Sequence, residues 1–113
     1  MSPQRKLTCT WRDGPHADAG LLHLDGELDY DSGDILLGAV GQWLEATAEV
    51  RELRVDCTEL RFCDSWGLSV LLTIHRRVTA RGASLSLDNR NDALNRLLAR
   101  TNTLDHLTGQ VSG

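Results

Sequence analysis

The residues best placed to do chemistry sit in one run of the 113-residue chain, Leu60 to Leu68, which reads LRFCDSWGL. An alternating segment ends upstream of it and a helical periodicity begins within it, so Asp64 and Ser65 fall at a predicted helix start. Such a start exposes unpaired N–H groups and the positive end of the helix dipole. Asp and Ser oxygens accept hydrogen bonds from a first turn. Ser65 therefore reads either as a plain cap or as a hydroxyl in a phosphate-related role. Cys63 is next to the same helix start, which lowers a thiol pKa. Asp64 opposes that effect, and the alternation with Phe62 favours an inert, packed thiol.

Other chemistries find less support. There is no Gly-rich phosphate loop, and Asp64-Ser65-Trp66-Gly67 lacks the glycine on both sides of the serine that a nucleophile elbow requires. His16, His23, His75 and His106 share no metal-ligand spacing and have no cysteine pair nearby, so no metal site is expected. No base has a recognisable motif spacing to Ser65 or Cys63, so no catalytic residues are assigned and the chain is not read as an enzyme. Carboxylates do gather around the junction. Glu27 and Asp29 end one predicted strand and Asp64 follows the next, at the sheet edge where parallel sheets form sites. They either cap loops and helices or present Ser65 to another protein.

The elements that position these residues follow from periodicity. Lys6 to Arg12 alternates with Leu7, Cys9 and Trp11 on one side, and Asp13-Gly14-Pro15 breaks it. Leu21 to Asp25 is a second short strand, with His23 on the face opposite Leu22 and Leu24, ending in a loop at Gly26 to Asp29. Asp31 or Ser32 caps a helix from about Gly33 to Thr47, whose stripe is Leu36, Val40, Trp43, Leu44 and Thr47. Gly38 and Gly41 weaken that helix and suit close packing on a sheet.

Glu52 to Cys57 alternates again, and the loop after it tucks Leu60 and Phe62 beneath the next helix. That helix runs from Ser65 to about Ala80 on Leu68, Leu71, Leu72, His75 and Val78, with Gly82 as its stop. Ala83 to Asp88 is the fourth strand. Asn91 or Asp92 caps a last helix carrying Leu94, Leu97, Leu98 and Thr101. Residues 103–107 form one more short strand or turn, and the tail from 108 is frayed. The fold class is α/β, a single domain with core about 5–107. Its mixed four- to five-stranded sheet carries helices in the order β-β-α-β-α-β-α.

Composition bounds the setting. The chain is 41% hydrophobic and 25% charged with a net charge of −4, and its one lysine and eleven scattered arginines offer no nucleic-acid footprint. No apolar run is long enough to span a bilayer, and no signal-peptide pattern is present. Three cysteines, Cys9, Cys57 and Cys63, suit free thiols in a reducing cytoplasm.

Two segments carry a resemblance. Leu22 to Asp29, reading LHLDGELD, resembles the "L-x-G-E-L-D" stretch of anti-sigma factor antagonists, members of the sulfate transporter and anti-sigma factor antagonist (STAS) domain family. Leu53 to Leu68 resembles that family's strand, loop and "D-S-x-G" helix start. The resemblance spans roughly residues 5 to 107 and implies a single STAS domain without a cofactor.

It implies that the unphosphorylated protein binds an anti-sigma factor serine kinase and so releases a sigma factor. Phosphorylation of Ser65 by that kinase would inactivate it, and a metal-dependent serine phosphatase would restore it. Glu27, Asp29, Asp64, Ser65, Trp66 and Gly67 would form the docking edge. The position after the serine, often small in that family, is Trp66 here, which either packs inward on Phe62 or stands exposed as an interface anchor. The alternative is a STAS scaffold or small-ligand-binding signalling module with no kinase partner.

Overall fold

A computed structural model describes residues 6–12, 14 and 16–100. Their order is β1 (Leu7–Arg12), β2 (Ala19–Leu28), α1 (Gly33–Ala46), β3 (Glu52–Cys63), α2 (Ser65–Ala80), β4 (Ser84–Asp88) and α3 (Asp92–Arg100). The four strands form one mixed sheet in the order β1-β2-β3-β4. The short link after β1 gives an antiparallel pair, and each helical crossover returns the chain parallel to its previous strand. The expected order of elements is therefore the observed one. Asp13 and Pro15 of the first break, Thr101, His106, the element expected at 103–107 and the tail lie outside the described residues.

Two strands are longer than periodicity suggests. β2 runs on to Leu28, so Gly26 and Glu27 belong to the strand and not to a loop. β3 runs on to Cys63 instead of ending at Cys57. Its alternation is interrupted by a slip in register: His23 pairs with Asp56 but Asp25 pairs with Glu59, so β3 uses one extra residue. A second slip separates the Gly26–Leu60 pair from Glu27–Phe62. Such irregularities break the period of two that reveals a strand in sequence. Leu60 still reaches the core, whereas Phe62 stands 51% exposed and is not tucked under a helix.

The core lies between one sheet face and the helices. Leu22, Leu24, Leu53 and Val55 meet Leu36, Val40 and Leu44 of α1 and Leu71, Ile74 and Val78 of α2. Burying each such side chain contributes about 1.5–3 kcal/mol. Ile74 completes the buried face of α2, while Leu72 and His75 are only half-buried. Trp43 is also half-buried, stacking on Trp11 of β1 with ring centroids 5.4 Å apart. Gly38 has open space around it and Gly41 meets only the end of Arg77, so neither serves close packing.

The opposite face of the sheet is polar. His23 is buried there with Nδ1 3.0 Å from Asp56 Oδ2 and Nε2 2.8 Å from Glu59 Oε1. Asp56 also accepts from Thr58 and from Asn89, the latter in the left-handed region at φ 59°. Those hydrogen bonds, Asn89's foremost, hold the Asp56 carboxyl well below the usual carboxylate range.

Candidate functional site

The site is built where β2 and β3 end side by side. Leu28 pairs with Cys63, and the Asp64 N–H donates to the Leu28 carbonyl at 3.2 Å. Asp64 has extended backbone and its Oδ1 accepts from the Gly67 N–H at 2.9 Å, so Asp64 and not Ser65 caps α2. The first helical bond runs from Leu68 N–H to the Asp64 carbonyl at 2.9 Å. Gly67 is pressed against the end of β2. A Cβ there would collide with the Leu28 carbonyl oxygen and sit 2.8 Å from Cys63 Sγ.

Ser65 is thereby left as the first helical residue, exposed, on a turn fixed from both sides. Its hydroxyl makes no hydrogen bond to any described residue. The next hydroxyls along the same helical stripe are occupied: Ser69 donates to the Ser65 carbonyl at 3.1 Å, and Thr73 to the Ser69 carbonyl at 2.9 Å. Of these three, Ser65 alone presents an oxygen free of such a bond to an incoming reagent.

The segment after β2 is held by Asp29, which is buried. Its Oδ1 accepts from the N–H groups of Asp31 (3.0 Å) and Ser32 (3.1 Å), and its Oδ2 pairs with Lys6 Nζ at 2.9 Å. Lys6 also reaches Asp31 at 3.2 Å. The Lys6 hydrogen bond holds the Asp29 carboxyl below its ordinary value, and the two aspartates raise the Lys6 ammonium above its own. Ser32 occupies the cap position of α1 without a side-chain cap bond, because its hydroxyl donates to the Glu27 carbonyl at 2.6 Å and accepts from the Asp29 N–H at 2.9 Å. Asp29 is thus a loop organiser whose charge is met by Lys6. Glu27 is half-buried near the end of β2, and Asp64 is half-buried at the cap.

Trp66 does not pack inward: it is 64% exposed, as is Tyr30 at 68%. With Phe62, three of the chain's five aromatic residues stand exposed around this end of the sheet. Between α1 and α2 lies a groove of about 350 Å³, walled by Tyr30, Gly33, Asp34, Leu37, Trp66, Ser69, Val70 and Thr73 and touched by Asp29. It exists because Gly33 lets α2 come close: a Cβ at 33 would lie 2.8 Å from Val70 Cγ2. Sequence reasoning missed Tyr30 and the groove. The available signal was a loop aromatic in a chain poor in them.

The thiols of this region are held in their protonated form. Burial pushes the Cys9 thiol up to about 11 and, with the Asp64 charge adding to it, the Cys63 thiol up to about 12, so both stay protonated at neutral pH. Burial likewise takes Cys57 to about 12. Among the described residues no cluster of His, Cys, Asp and Glu could hold a metal ion, and no helix is long and apolar enough to cross a membrane.

A family model described as "Mlab, STAS domain" matches residues 12–109. No curated protein matches the chain in sequence. Among solved structures, an anti-sigma factor antagonist from Mycobacterium paratuberculosis superimposes with a TM-score of 0.72 at 22% identity, covering 98% of this chain and 92% of that one. The Bacillus cell fate determinant SpoIIAA in its phosphorylated form gives a TM-score of 0.68 at 16% identity, covering 89% of each chain. A sulfate transporter family protein from Wolinella succinogenes gives 0.71 at 17% identity, covering 86% of this chain and 77% of that one. At these identities the likeness is one of fold.

Proposed function

The chain belongs to the STAS domain family, and from that premise we propose that it is an anti-sigma factor antagonist switched by phosphorylation of Ser65. It acts as a binding module in the bacterial cytoplasm and is a substrate, not a catalyst. Unphosphorylated, it binds an anti-sigma factor serine kinase and frees the sigma factor. The kinase transfers the γ-phosphoryl group of ATP to Ser65 Oγ: the new O–P bond replaces the bond from the γ-phosphorus to the β–γ bridging oxygen, ADP leaves, and the hydroxyl proton passes to a base of the kinase. A metal-dependent serine phosphatase hydrolyses the phosphoserine and resets the switch.

The observation that carries this reading is the exposed Ser65 hydroxyl, without a hydrogen bond among the described residues, on a turn held by Asp64 and Gly67. A phosphate there adds about −1.5 to −2 charges. The helix terminus tolerates that charge, so the fold survives. A partner packed on the bare hydroxyl would instead meet a steric clash and the desolvation cost of a strongly hydrated phosphate beside Asp64. Asp64, Glu27 and Trp66 are the contacts assigned to the partner. Asp29 and Gly67 act by positioning.

The test is purified protein incubated with its cognate kinase, Mg²⁺ and ATP. One phosphate is expected on wild type and none on Ser65→Ala; phosphate on another residue would overturn the assignment. Ser65→Ala should hold the kinase constitutively and Ser65→Glu weakly, and equal affinities would refute the switch. A second reading, a STAS scaffold or small-ligand module, draws on the likeness to the Wolinella succinogenes sulfate transporter family protein. Native mass spectrometry revealing a retained small molecule would favour it.

A further inference from the structure

We propose that the groove between α1 and α2 is the partner's anchor site, taking an apolar side chain flanked by an Arg or Lys. This rests on the reading of the chain as an antagonist of a kinase-type anti-sigma factor. The floor is apolar, formed by Leu37 and Val70, and its mouth is flanked by the exposed rings of Tyr30 and Trp66. Among the described residues the lining itself holds no basic side chain; Lys6 and Arg76 reach it only from outside, bonded to Asp29 and Thr73, which leaves the exposed Asp34 carboxylate in the first turn of α1 as the unpaired charge on its wall. An apolar anchor would fill the floor, and a neighbouring cation would meet Asp34 and the aromatic faces.

The groove is continuous with the phosphorylation site. Ser65, Ser69 and Thr73 are spaced at i, i+4 and i+8, so they share one stripe of α2. Ser69 and Thr73 line the groove, which places Ser65 one turn beyond them at its upper end. A partner segment seated in the groove therefore runs past the Ser65 hydroxyl. Phosphate at that position obstructs the segment without any change in the groove. Trp66 builds one wall of the groove, so its ring bears directly on which partner segment fits there.

The experiment uses the full chain and a panel of purified kinase-type anti-sigma factors from the same organism, with Kd measured by calorimetry. Asp34→Lys and the double variant Tyr30→Ala/Trp66→Ala should each weaken binding at least tenfold. All three positions are exposed, so circular dichroism spectra should match wild type. Thr10→Ala, on the far face of β1, should bind as wild type does. Raised salt should weaken the wild type more than Asp34→Lys. Wild-type affinity in the groove variants, with Ser65 still phosphorylated, overturns the groove and leaves the antagonist reading standing. Loss of binding in those variants, with Ser65→Ala and Ser65→Glu binding alike, upholds the groove and overturns the switch. If no kinase in the panel binds wild type, both fall.

Discussion

Gly67 of α2 touches the Leu28 carbonyl of β2 so closely that no side chain fits between them. The contact seats the first turn of the helix on the end of a neighbouring strand. The Asp64 N–H bond to the same carbonyl fixes that seat from the other side. The orientation of Ser65 is thereby a property of the sheet, not of the helix alone.

Gly67→Ala should accordingly destabilise the domain by about 3 kcal/mol, the upper part of the usual range for overpacking. The barrier is backbone, which cannot rotate away as a side chain can. Urea unfolding followed by circular dichroism measures the effect. A stability equal to wild type would show that the contact relaxes freely.

Asp64→Ala should cost about 1 kcal/mol through loss of the cap, with Asp64→Ser recovering most of it. Because Asp64 and not Ser65 holds the Gly67 N–H, Ser65→Ala should change stability far less than Asp64→Ala. Urea midpoints of the three variants give the ranking, and the reverse order would return the cap to Ser65.

Phosphorylation of Ser65 should leave the far-ultraviolet spectrum unchanged and move the Tm by only a few degrees. Attraction to the helix terminus contributes about 0.3–1 kcal/mol, and repulsion from Asp64 offsets part of it. Thermal melts of the protein before and after kinase treatment test this. A collapse of structure would mean that the switch acts by unfolding.

Acid stability should depend on Asp56. Its folded-state carboxyl is depressed by Asn89, Thr58 and His23, so its stabilisation is present above the ordinary carboxylate pKa of about 4 and is lost as pH falls through the lower folded value. Asp56→Asn should be less stable than wild type at pH 7 and lose less stability between pH 5 and pH 2. Denaturation midpoints across that window measure the slope. Equal slopes would show that other carboxylates govern it.

Asp29 offers a separate test of loop organisation. Asp29→Asn keeps an oxygen for the Asp31 and Ser32 N–H groups and loses the ion pair with Lys6, whereas Asp29→Ala loses both. The alanine variant should therefore unfold at lower urea than the asparagine variant. Matching midpoints would mean that the Lys6 pair supplies the whole effect.

Features that depend on near neighbours can be read from the chain directly. The element order and the helix start at Asp64-Ser65-Trp66-Gly67 were legible because helical periodicity and capping act over three or four residues. Strand lengths were not, since the slips opposite His23 and Gly26 shift β3 against β2 and hide the alternation that runs to Cys63. The choice of Asp64 over Ser65 as cap needed the backbone conformation at that turn.

The remaining features come from contacts between distant segments. Lys6 meets Asp29 across 23 positions, and His23 meets Asp56 and Glu59 across 33 and 36. Neither pairing leaves a trace in local pattern, because sheet register brings those residues together. The outward turn of Trp66, and the groove it shares with Tyr30, depend on how closely α2 approaches α1 at Gly33 and Val70. Packing between distant segments sets that approach, and no local spacing encodes it.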